Sequence, residues 1–107
     1  MTASSDQGLA PQAIAPRQGW TFLTNHAHVL ITLARDPDLR LRDIRALVGI
    51  TERTTHVIVS ELERDGYLTT TKKGRRNHEV NTALPLRHPL EQHHRVGELL
   101  DAVAPID

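Results

Sequence analysis

The 107-residue chain has no cysteine, one tryptophan, one phenylalanine and a net charge of zero. Without cysteine it can form no disulfide, no thiolate metal site and no cysteine nucleophile. No apolar run approaches the roughly 20 residues that a membrane-spanning helix requires, so no membrane partner is expected. The opening Met1-Thr2-Ala3-Ser4-Ser5-Asp6-Gln7 lacks the basic-then-apolar order of a secretory signal, and a cytoplasmic location is the simplest expectation. A glycine-rich phosphate loop, a Ser-His-Asp context and paired carboxylates are also missing. His78-Glu79 falls in a strand-like stretch and lacks the helical HExxH register. Neither an enzyme nor a cofactor is therefore expected. The length suits one domain with a modest core.

The zero net charge hides an asymmetry. Between Leu39 and Arg76 there are nine Lys/Arg (40, 42, 45, 53, 64, 72, 73, 75, 76) against five Asp/Glu (43, 52, 61, 63, 65). That stretch carries an excess of four positive charges, and the rest of the chain an equal negative excess. A chain divided in this way can turn one face toward phosphates while staying soluble.

Three regions follow from the pattern. Residues 1–17 are Ala, Ser, Gln, Pro and Gly with few apolar anchors, and read as a disordered arm. Residues 18–82 carry the ordered domain. Trp20 and Phe22 alternate as in an extended anchor and are expected in the core or a dimer seam. Thr24 or Asn25 caps a helix that continues to about Arg35, with Ala27, Leu30, Ile31 and Ala34 on its inner face, and Pro37 ends it. Leu39-Arg40-Leu41 is extended, available as a third strand. A second helix over about Arg42–Val48 turns Ile44, Leu47 and Val48 inward. Gly49 stands where a helix end favours a left-handed residue. Thr51 caps a third helix, which runs to Asp65 with Thr55, Ile58, Val59 and Leu62 inward and stops at Gly66. Tyr67-Leu68-Thr69-Thr70-Thr71 then begins a hairpin whose tip is Lys72-Lys73-Gly74-Arg75-Arg76. In residues 83–107 a connector leads to a last helix, from about His88, with Pro89 in its first turn, to about Val103, before Pro105. Its stripe of Leu90, His93, Gly97 and Leu100, widened by Val96, Leu99 and Val103, suits pairing with a second copy, where Gly97 would permit close approach, or else folding back on its own domain.

Helix, glycine turn, helix and basic-tipped hairpin is the order of parts in a winged helix-turn-helix, mainly α with a small antiparallel sheet. Leu47-Val48-Gly49-Ile50-Thr51-Glu52-Arg53 and Leu62-Glu63-Arg64-Asp65-Gly66-Tyr67-Leu68 resemble small bacterial winged-helix transcriptional regulators of the MarR/ArsR type. Gly74-Arg75-Arg76-Asn77-His78 resembles their wing. The resemblance covers about Trp20 to Val80 and implies a homodimeric regulator of double-stranded DNA, with a recognition helix at 51–65 and a wing at 72–76. One departure stands out. Such units usually carry a small residue four positions before the turn glycine, whereas this chain has Arg45 there and Ala46 beside it. Ala46 is expected to take over the close-packing role.

The outward stripe of the third helix is Arg53, Val57, Ser60 and Arg64, flanked by Thr54 and His56. Thr51, Arg53, Thr54, His56, Val57 and Ser60 are the candidate major-groove residues. Arg53 suits a bidentate contact to guanine, or a phosphate or an ion pair with Glu52 or Asp43, and Val57 suits a thymine methyl. Lys72, Lys73, Arg75 and Arg76 suit the DNA backbone or minor groove. Trp20, Phe22, Leu90, His93, Val96, Gly97 and Leu100 are the candidate dimer contacts. Seven histidines raise metal sensing as an alternative, for example His93 with Glu91 or Asp101 and a histidine across the dimer, but the spacing names no ligand set and no metal site is assigned. Two other readings stay open: a winged-helix module that docks a protein, and a regulator gated by an unidentified effector at the seam between the first and last helices.

Overall fold

The computed structural model describes residues 19–73 and 75–103. The arm expected over 1–17 and the stop expected at Pro105 lie outside those residues. Helix α1 (Asn25–Arg35) starts where the Thr24 hydroxyl oxygen accepts the Ala27 N–H at 3.2 Å. It ends with the Asp36 N–H on the Thr32 carbonyl, ahead of Pro37. Helix α2 (Leu41–Val48) begins as the Asp43 carboxylate accepts the Arg40 N–H at 3.2 Å. Gly49 closes it with φ 85°, in the left-handed region that favours glycine. Helix α3 (Glu52–Arg64) is capped by Thr51, whose hydroxyl oxygen accepts the Thr54 N–H at 3.0 Å. At its far end the Tyr67 N–H reaches the Leu62 carbonyl and the Gly66 N–H the Glu63 carbonyl, a Schellman closure that requires the positive φ (88°) of Gly66.

Strands β1 (Leu68–Lys73) and β2 (Arg75–Val80) form an antiparallel hairpin in which Leu68 pairs with Val80, Thr70 with His78 and Lys73 with Arg75. Strand β1 packs on α3 and β2 on α1. A final helix, α4 (Val96–Val103), returns to α1. The core joins Val29, Leu30 and Leu33 of α1 to Ile44 of α2 and to Ile58, Val59 and Leu62 of α3. Tyr67, Leu68, Val96 and Leu100 complete it.

Thr55, Ile58, Val59 and Leu62 face inward as their spacing implies. Several local expectations are corrected. In α1, Val29 and Leu33 point to the core beside Leu30, while Ala27, Ile31 and Ala34 are only partly buried. Val29 and Leu33 stand four residues apart on one helix face, and together they bury more apolar area than Ala27 and Ala34 would. In α2, Leu47 is 51% exposed and Ala46 is also exposed, so the fully buried Ile44 makes the helix contact instead. Leu39–Leu41 is not a strand, because Leu41 already belongs to α2. That region still holds the hairpin, through the Pro37 carbonyl, which accepts the His78 N–H at 2.8 Å.

The last helix begins at Val96, well after Pro89. Residues 84–86 and 94–96 bond to each other first, with Leu86 N–H on the His94 carbonyl and Val96 N–H on the Leu84 carbonyl, both at 2.9 Å. The Tyr67 hydroxyl anchors this pair by donating to the Pro85 carbonyl at 2.6 Å. Residues 88–94 therefore form turns, leaving Leu90 87% exposed and His93 exposed. Val96 and Leu100 are buried within their own subunit. Gly97 makes its close approach there too: a Cβ on it would sit 3.1 Å from the Thr82 Cβ and 3.2 Å from the Thr82 carbonyl oxygen. Finally, Trp20 and Phe22 lie outside the core, stacked edge-to-face on each other with ring centres 4.9 Å apart.

Replacing Gly66 by Ala should destabilise the protein by roughly 1–2 kcal/mol, because the left-handed turn then carries a Cβ. The space is adequate, with Leu84 at 3.7 Å, so the effect is one of backbone conformation. Urea denaturation of both proteins measures it.

Candidate nucleic-acid interface

Helix α3 is amphipathic in the plainest sense. Thr55, Ile58, Val59 and Leu62 hold one side in the core, so Arg53, Thr54, His56, Val57, Ser60 and Arg64 must stand on the other, and all six are exposed. Thr55 is fully buried, and its hydroxyl is satisfied by donating to the Thr51 carbonyl at 2.9 Å. The Thr51 hydroxyl is committed twice, accepting the Thr54 N–H and donating to the Thr54 hydroxyl at 2.9 Å. Thr51 thus acts as a cap, and the freely presented groups are Arg53, His56, Val57 and Ser60. Among the described residues Arg53 makes no ion pair with Glu52 or Asp43. Val57 is an apolar side chain left 47% exposed between polar neighbours.

The C-terminal half of α3 is tied down by three acids, each to a different element. Glu61 meets His26 of α1 at 2.7 Å. Glu63 accepts from the Thr70 hydroxyl of β1, and its Oε2 lies 3.9 Å from His78 Nδ1 of β2. Asp65 accepts from Arg87 Nη1 at 2.7 Å, with Arg64 Nε at 3.5 Å. The Arg87 hydrogen bond, opposed by some desolvation and reinforced by Arg64, holds the Asp65 carboxyl below its ordinary 3.8. His26, His78 and Arg87 lie far from their acids in sequence, and no local spacing signals them.

Between α3 and the hairpin lies a cleft of 490 Å³, lined in part by His56, Ser60, Lys72 and His78. Lys72 is exposed on β1, opposite Arg76 in the ladder. The side chains of Lys73, Arg75 and Arg76 fall outside those described. The strand pairing nevertheless brings Lys72, Lys73, Arg75 and Arg76 to the hairpin end, reached from α3 through Gly66 and Tyr67.

The histidines scatter. His94 pairs with Glu98 at 2.6 Å, His28 with Asn25, and His88 Nδ1 accepts the Leu90 N–H. Among the described residues no three His, Asp or Glu side chains converge as a metal site would require. Helices α1 and α4, expected to meet across two subunits, pack together in one. No described helix is long and apolar enough to cross a membrane.

Residues 24–69 match the family described as winged helix-turn-helix DNA-binding. The fold is a winged helix-turn-helix. The match begins at the cap of α1 and ends in β1, so it contains the whole of α2, the turn and α3. No curated protein and no solved structure matches the chain.

Because folding lowers the Asp65 pKa, the Asp65–Arg87 pair stabilises the winged helix-turn-helix fully above pH 3.8 and is lost as pH falls through the folded-state value. Arg87→Ala should therefore lower the melting temperature slightly at neutral pH, and the gap should close below pH 3.8. Thermal melts of both proteins across that range check the sign.

Proposed function

We propose that the chain is a sequence-specific transcriptional regulator that binds double-stranded DNA as a homodimer. The N-terminal half of α3 enters the major groove, and the hairpin end at 72–76 lies on the backbone or minor groove. One observation carries this reading: Arg53, His56, Val57 and Ser60 are exposed on a helix whose opposite face is locked in the core. Arg53 matches guanine O6 and N7, and Val57 matches a thymine methyl. Helix α3 has Lys72 beside it across the cleft, and Lys73, Arg75 and Arg76 follow in sequence. These cations supply the charge that displaces counterions from DNA.

Pairing of two copies is supported by apolar side chains that the subunit does not cover. Trp20 is 71% and Phe22 92% exposed, and Leu90 is exposed as well. Such side chains suit a contact between copies better than solvent. In this arrangement Trp20, Phe22 and Leu90 form the seam, with His93 beside Leu90, while Val96, Gly97 and Leu100 support it from inside the subunit.

Selection of bound fragments from random duplex DNA tests the proposal, the expected result being one enriched motif with two related half-sites. Recovery of unrelated sequences, with no salt dependence of binding, would leave a protein-docking module as the better reading. On the selected site, Arg53→Ala should cost about 1–3 kcal/mol and relax preference at a single base pair. Lys73→Ala should weaken all sequences alike and flatten the salt slope by about 1. Replacing Trp20 and Phe22 together by Ala should shift the protein toward monomer in analytical ultracentrifugation.

A further inference from the structure

We infer that Glu63, Thr70 and His78 form a positioning relay that sets the hairpin against the recognition helix, so that the cationic hairpin end and the reading face of α3 engage one DNA together. This inference rests on the DNA-binding proposal above. Three separate elements supply the relay: Glu63 from α3, Thr70 from β1 and His78 from β2. Thr70 and His78 are direct partners in the strand ladder, and their side chains meet at 2.9 Å between Oγ1 and Nδ1. The Thr70 hydroxyl in turn donates to Glu63 Oε2. A hydroxyl has a single proton. Given to Glu63, it leaves Thr70 only as an acceptor toward the ring, so His78 carries its proton on Nδ1. The order is His78 N–H to Thr70 O–H to carboxylate, a directional chain with a charged end.

Location gives the chain its consequence. The Schellman closure at Gly66 sets where the hairpin leaves α3, and the relay adds a second tie further along β1, at Thr70. His78 is 1% exposed at the floor of the cleft between α3 and the hairpin. Its backbone N–H is held by the Pro37 carbonyl, so the relay also refers the angle to the end of α1. Lys72 stands two residues beyond Thr70 on the same strand, and the other hairpin cations follow. An error in the angle at Thr70 is therefore magnified toward the residues that would meet phosphate. These three side chains touch no DNA. They act through the strand that carries the cations, and are positioning residues.

Electrostatics alone predicts the opposite effect for one of them. Glu63 is an acid next to a proposed DNA face, and simple charge repulsion means its removal should tighten binding. A positioning role means that its removal should weaken binding. The test uses a labelled duplex carrying the motif that the unaltered protein selects, titrated by fluorescence anisotropy over a range of salt, well below the melting temperature of every variant. Thr70→Val keeps the shape and deletes the link. Glu63→Ala deletes the carboxylate, and Glu63→Gln keeps an acceptor for the Thr70 hydroxyl while removing the charge.

Thr70→Val and Glu63→Ala are each expected to bind roughly ten-fold more weakly, with the salt slope reduced by about 1 as a hairpin cation disengages. Glu63→Gln is expected to stay within about two-fold of the unaltered protein. Thr70→Val binding with unchanged affinity and slope would overturn the relay. So would tighter binding by Glu63→Ala, or Glu63→Gln as weak as Glu63→Ala. Failure of the unaltered protein to select any duplex is a separate result, and it removes the DNA-binding proposal itself.

Discussion

The burial of one side of α3 is the constraint on which the rest of the structure depends. Thr55, Ile58, Val59 and Leu62 leave water together, and a helix of period 3.6 cannot bury that stripe without turning Arg53, Val57, Ser60 and Arg64 outward. The outward face is thus a consequence of how the core is filled. Thr55 shows how tightly the two demands are joined. It is a polar residue with no exposure, tolerated because the carbonyl of the capping residue Thr51 accepts its hydroxyl. The same two threonines start the helix and seat it.

The two halves of α3 do different work. Its first turns carry the capping threonine and exposed polar side chains, with few ties to other elements. Its last turns are fastened by Glu61, Glu63 and Asp65 to α1, to the hairpin and to the connector. Surface ion pairs are individually weak, and Glu61–His26 and Asp65–Arg87 contribute little stability in isolation. Their value is directional: each restricts how α3 can rotate or slide relative to a different neighbour. The Glu63–Thr70–His78 chain differs from the two surface pairs because it ends on the buried His78, and breaking it strands a polar atom inside the protein.

The pattern of apolar residues reveals some parts of this molecule and conceals others. The inward stripe of α3, its cap at Thr51, the left-handed Gly49 and the stop at Gly66 were all legible, because each depends on residues within a few positions of one another. The same local logic misjudged Leu47 and Ala46, because α2 is short and its rotation is decided by what Ile44 meets on α1 and α3. It also extended the last helix too far toward its N-terminus. Pro89 and the stripe around Leu90 make a plausible helix start, yet the connector gains more by bonding 84–86 to 94–96 under the Tyr67 hydroxyl. Of the site, the exposed face of α3 could be read in advance. The histidine and carboxylate partners behind it could not, since residues 26 and 61, or 63 and 78, meet only after folding.

By itself the sequence determined the helix-turn-helix and hairpin order, the caps and breaks between the parts, and which side of α3 is apolar. These are local properties: hydrophobic period, hydrogen-bonding side chains at helix ends, and glycine at positive φ. Only the tertiary structure decided that α4 closes its own subunit, that Gly97 approaches Thr82 within the chain, that Trp20 and Phe22 stay outside the core, and that Thr70 links α3 to the buried His78. Each of these depends on which distant segments come together, and that is set by competition among alternative ways of burying the same apolar area. Periodicity cannot resolve that competition, because it states how much surface a segment must hide and not what will cover it.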